Sequence, residues 1–134
     1  MASLTLRANV VTDSSGAATV YLSQAGQSST PVAPLSGMWE VASISYVKND
    51  FASGIDFAIT EYPTGAPLWT GTNVDASTTF YPRAFVGDPA SGAVSTSVYD
   101  VIRVHDSQIK IVISSGGTSK EGRFYIKLVT PQGA

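Results

Sequence analysis

Apolar and polar residues alternate along most of this chain, and only an extended chain throws successive side chains to opposite sides in that way. Leu4, Leu6, Ala8 and Val10 alternate with Thr5, Arg7, Asn9 and Val11. Ile55, Phe57 and Ile59 repeat the pattern, and Val98, Asp100, Ile102 and Val104 interleave with Tyr99, Val101, Arg103 and His105. Near the C-terminus Ile109, Ile111 and Ile113 are answered by Phe124, Ile126 and Leu128. A period of two is the strand period, and it gives each strand one face to bury. No segment of ten or more residues carries a helical apolar period with capping residues. The spacing predicts an all-β fold, a single antiparallel β-sandwich or barrel of about seven to nine strands.

Turn residues punctuate the alternation. Asp13-Ser14-Ser15-Gly16 separates Leu4–Val10 from Ala18, Val20 and Leu22, which predicts an N-terminal hairpin over residues 1–23 or, as an alternative, an arm that reaches a neighbour. Ile109–Ile113 and Phe124–Leu128 flank Gly116-Gly117-Thr118-Ser119-Lys120 and read as a second hairpin. Between Trp39 and Tyr46 the apolar residues change parity, which predicts a bulge or burial on both faces. Residues 77–85, STTFYPRAF, contain Pro82, which removes a ladder donor and fits an edge strand or a loop.

With 134 residues the chain is expected to form one domain, 1–134. It contains no Cys, so disulfide frameworks, thiolate metal sites and Cys nucleophiles are excluded. Charged residues are 13% and the formal net charge is −2, with no basic cluster in the sequence, so nucleic acid is not an expected partner. No apolar run approaches the roughly 20 residues of a membrane-spanning helix, and the N-terminus lacks a signal peptide's basic start and apolar core. Ser and Thr are abundant, so the expected surface is neutral and hydroxyl-rich, a kind that resists association only weakly.

Each candidate for chemistry has a plainer reading. The 116–120 loop lacks the glycine spacing and the following helix of a phosphate-binding loop. His105-Asp106-Ser107 contains the three residue types of a hydrolytic triad, but a triad converges from separate elements. With one His, and with Asp88, Asp100 and Asp106 scattered, neither a histidine-based metal site nor a calcium loop is expected. Glu40, between Trp39 and Val41, reads as a strand-face carboxylate paired with a cation rather than a catalytic acid. The expectation is a non-enzyme with no catalytic residue, metal or cofactor. The residues expected to make contacts are Trp69, Tyr81, Arg83 and Phe85, because aromatic and Arg side chains in irregular segments concentrate at interfaces. Trp69 and Tyr81 would also serve as the aromatic platform of a carbohydrate-binding β-sandwich module of a fibre.

Several phrases stand together in order: Phe51-Ala52-Ser53-Gly54-Ile55-Asp56-Phe57 with Ile59-Thr60, then Phe80-Tyr81-Pro82-Arg83-Ala84, then Tyr99-Asp100, Ile109-Lys110-Ile111-Val112-Ile113 and Gly116-Gly117. Over residues 40–128 this order resembles small virion-associated structural proteins of tailed bacteriophages, encoded among head genes. The resemblance implies a virion protein, first of all a decoration or cement protein on the outside of the head, with a neck or head-completion protein as the alternative. It also implies a homo-oligomer, a trimer by preference. The implied partners are the major capsid protein or its virion neighbours, without membrane or nucleic acid, in a particle assembled in the host cytoplasm.

Overall fold

The structure, a computed structural model, describes residues 2–87 and 94–131, and of 84–87 and 94–99 the backbone alone. The described residues form twelve strands: β1 (Ser3–Val11), β2 (Ala18–Ser23), β3 (Gly26–Ser28), β4 (Met38–Val47), β5 (Ile55–Tyr62), β6 (Pro67–Val74), β7 (Thr78–Phe80), β8 (Arg83–Gly87), β9 (Val94–Val101), β10 (Arg103–His105), β11 (Gln108–Ser114) and β12 (Glu121–Val129). The count exceeds the expected range because β3 and β7 have three residues each, too few to show an alternation, and because the alternating run 98–105 is split at Ile102 into β9 and β10.

One sheet runs β1-β12-β4-β10, and β7 shares the same edge of β4 with β10. Met38, Trp39 and Glu40 face β10, while Ile44, Ser45 and Tyr46 face β7. The second sheet runs β3-β2-β11-β5-β6, and β8 pairs with β9 in a separate ribbon. All pairings are antiparallel. The parity change in β4 is a bulge: Lys127 lies opposite Ser43 and Leu128 opposite Val41, which leaves Ala42 as the extra residue. Two sheets of alternating strands, apolar faces inward, make a β-sandwich.

Neither expected hairpin exists. β1 and β2 lie in different sheets, and so do β11 and β12. Segments 12–17 and 115–120 are arches that carry the chain across the sandwich. The physical reason is that alternation dictates which face of a strand is buried, not which sheet it joins. In an arch the two apolar faces meet across the core instead of lying side by side, and loops rich in Gly and Ser serve both connections. β1 is not a free arm either. It pairs with β12 from Ser3 to Val11, and Leu6, Ala8 and Val10 are core residues. Its open edge is covered at one point by the Gln27 amide, which accepts the Asn9 N–H and donates to the Asn9 carbonyl, both at 2.7 Å. A side chain thus takes the place of a neighbouring strand, which limits edge-to-edge pairing there.

The arches lock together. Gly116 N–H donates to the Gly16 carbonyl at 2.9 Å, and Ser119 N–H to that of Asp13 at 3.2 Å. Thr12, buried, donates its hydroxyl to the Gly117 carbonyl at 2.5 Å and accepts the Lys120 N–H at 2.9 Å. Gly16 and Gly117 have positive φ of 83° and 86°, which L side chains adopt only with strain. Thr12→Val keeps the shape and removes the hydroxyl, leaving the part-buried Lys120 N–H and Gly117 carbonyl without the partner it supplies. The expected loss in chemical denaturation is about 1–2 kcal/mol. Asp13, at the surface of the first arch, accepts the Ser15 hydroxyl and the Ser15 and Ala17 N–H groups. These bonds, the Ser15 hydroxyl first, hold its carboxyl below the usual carboxylate value.

At the centre Tyr46, Phe57 and Phe124 meet with ring centroids 5.2–5.5 Å apart. The Tyr46 hydroxyl is buried without a hydrogen-bond partner among the described residues, and burial pushes the phenol up to about 12. Tyr46→Phe is therefore expected to raise stability by about 1 kcal/mol, since it removes an unpaired buried polar group. The phenol's pKa is higher folded than unfolded, where it sits near 10. The wild type should accordingly lose stability as pH rises from about 10 toward 12, and Tyr46→Phe should lack that part of the loss. Denaturation curves at neutral and alkaline pH measure both effects.

Candidate functional site

The segment after β6 gathers most of the residues that sequence reasoning singled out. Trp69, on the edge strand β6, packs edge-on against Phe57 at 4.8 Å and lies flat on Phe80 of β7 at 5.2 Å, with the last two rings 16° from parallel. β6 and β7 belong to different sheets, so this stack closes one open side of the sandwich. Sequence reasoning missed Phe80. Its signal was present, an aromatic residue next to Tyr81, but the partner that fixes its role is eleven residues away on another sheet.

β7 is held in place by hydroxyls: Ser45 Oγ and Thr79 Oγ1 are 3.0 Å apart, and the Lys48 N–H donates to Ser77 Oγ at 2.9 Å. Beyond it the chain turns outward. Tyr81 is 62% exposed, Pro82 is buried, and Phe80 keeps 38% of its surface in solvent although it covers Trp69. Arg83, exposed, donates to the Pro82 carbonyl at 2.6 Å and starts the ribbon opposite Val101. Trp69 is thus a half-buried seal, whereas Tyr81 and Arg83 are surface groups. The side chain of Phe85 lies outside the described residues; its backbone pairs with Tyr99 in the ribbon.

The ribbon leaves the first sheet where β9 runs into β10. Ile102, between them, accepts the Val41 N–H at 2.9 Å, and apart from each other β8 and β9 meet the sandwich chiefly at β4. At its base Arg103 joins Glu40 at 3.0 Å and Asp100 at 3.2 Å. The Val101 N–H, ahead of the bond from Arg103 and the attraction of Arg103 and Arg83, holds the Asp100 carboxyl below its usual value. Glu40 is therefore the paired strand-face carboxylate that its apolar neighbours implied.

The remaining candidates are engaged in structure. Ser107 is buried and donates its hydroxyl to Glu61 Oε2 at 2.7 Å, not to His105. Glu61 Oε1 accepts the Thr64 hydroxyl at 2.8 Å. His105 Nε2 lies 3.3 Å from Asp106 on an exposed turn. A groove of about 530 Å³ beside β1 contains one ionisable group, Asp13, which its own turn already saturates. Among the described residues no three His, Asp or Glu side chains converge where they could hold a metal ion.

No protein-family model matches this chain, and no curated protein or solved structure matches it.

Proposed function

We propose that this chain works by docking, as a structural protein of a tailed-phage particle that sits on the outside of the head as a homo-oligomer and strengthens the shell. The observation that carries the reading is the exposed Phe80–Tyr81 edge beside the β8–β9 ribbon, where the chain passes from the sandwich into a separate two-stranded sheet. An aromatic side chain on a stiff strand end loses little conformational freedom when covered, which suits a contact. The sequence phrases that resemble virion-associated proteins run through the same stretch. The engagement of Glu40, Ser107 and Glu61 in structural bonds supports a contact role over a catalytic one. Many equivalent copies on a shell act multivalently, so each contact need only be modest.

A neck or head-completion position would use the same edge. The fibre reading loses its platform, because Phe80 covers the face of Trp69 and leaves Tyr81 alone. The test is to add purified protein to heads that lack it, sediment the mixture and image the pellet. Regular occupancy at capsomer junctions and a shell that withstands higher temperature support the decoration reading. Density at the portal vertex alone moves the protein to the neck, and unbound heads contradict both.

A further inference from the structure

The outward face of the first sheet is a second surface of different chemistry. Cross-strand register sets three rows side by side there: Asn9, Arg123 and Val47; Arg7, Tyr125, Ser45 and Thr79; Thr5, Lys127 and Ser43. These rows hold three of the chain's eight cations and no carboxylate, although the formal net charge is −2. Among the described residues, acids on this face stand at its ends. Glu121 lies opposite Val11, and Glu40 is taken by Arg103 at 3.0 Å.

The three cations are uncommitted. Arg7, Arg123 and Lys127 form no ion pair among the described residues. The Arg7 guanidinium lies over the Tyr125 ring, 5.9 Å from its centroid. The Nε of Arg123 is buried and has no hydrogen-bond acceptor among the described residues. An unanswered buried donor is costly, and an anion meeting the edge of that guanidinium after a small side-chain rotation would answer it.

We propose that this face docks an acidic protein surface, whose carboxylates are received by Arg7, Arg123 and Lys127 around Tyr125. The planar fork of each Arg matches a carboxylate in two parallel bonds. Neighbouring strands are about 4.8 Å apart, and Arg123 and Lys127 are separated by roughly 13 Å along β12, the scale of a cluster of acidic side chains. A nucleic acid is the poorer fit. Strong binders neutralise roughly six to ten phosphates, and here three cations are flanked by Glu121 and Asp50. The proposal is independent of the head-decoration reading and rests on a different face.

The test is a ¹H–¹⁵N NMR titration of the full chain with a short oligoglutamate peptide and, in parallel, a short oligothymidylate. The peptide is expected to shift the Tyr125 amide and the Arg123 Nε–H, to saturate, and to weaken with added salt as screening shortens the reach of the charges. The doubly reversed variant R7E/K127E, altered only at exposed positions, should keep its melting temperature and bind the peptide about tenfold more weakly or worse. Shifts scattered away from this face, a folded R7E/K127E variant that binds as well as the wild type, or tighter binding of the oligothymidylate would each overturn the proposal.

Discussion

Replacing Phe57 by Ala is expected to destabilise the fold by about 3–5 kcal/mol, a large share of what a domain of this size has. Phe57 meets three other aromatic rings, as Tyr46 does. Its ring meets Tyr46 at 5.5 Å, Phe124 at 5.3 Å and Trp69 at 4.8 Å, so it joins the second sheet to the first and to the seal at the open side. Truncation to Ala leaves a cavity whose walls are strands held by ladders on both sides, β11 and β6, which cannot collapse inward freely. The loss should therefore sit at the high end of the range. Thermal and chemical denaturation measure it. A change below about 1 kcal/mol would mean that the ring is not packed between the sheets as described.

Gly71→Val is expected to be nearly as damaging, about 3 kcal/mol, for the opposite reason. Gly71 stands opposite Phe57 on β6, and the Phe57 ring lies across it. A Cβ at position 71 would fall 2.7 Å from Cε2 of Phe57 and nearer still to its Cζ. The φ of Gly71 is not in the left-handed region, so the objection is space alone. The ring cannot move aside, since Tyr46, Phe124 and Trp69 hold its other faces. That origin has a consequence. In a Phe57→Leu background the extra volume meets a smaller, more flexible side chain, and the penalty of Gly71→Val should shrink by more than half. A double-mutant cycle reads the coupling, and simple additivity would contradict the steric account.

The strand faces were legible in the sequence because burial and alternation are the same fact seen twice. Leu6, Ala8, Val10, Ile109, Ile111, Ile113, Phe124, Ile126 and Leu128 are all buried, as their parity requires. The bulge in β4 was legible too, since an extra residue must shift parity. Sheet membership was not. The same Gly- and Ser-rich composition that suits a hairpin suits the arches at 12–17 and 115–120, and what distinguishes them is Thr12 meeting Gly117 and Lys120 over a hundred residues away. The candidate contact segment was legible as a break in the pattern at Pro82, but the burial of Trp69 was not, because its cover, Phe80, arrives from the other sheet. The basic face was invisible for the same reason: Arg7 is distant in sequence from Arg123 and Lys127, and only the β1–β12 register brings them together.

The most direct test of the docking account is sedimentation equilibrium of the purified chain over rising concentration, for the wild type and for Tyr81→Asp. Tyr81 is largely exposed, so the substitution should leave the fold intact. The account predicts a closed oligomer, a trimer by preference, that Tyr81→Asp weakens by about 2 kcal/mol or more per contact. A wild-type chain that remains a monomer at every concentration, or a Tyr81→Asp variant that associates as well as the wild type, would contradict it.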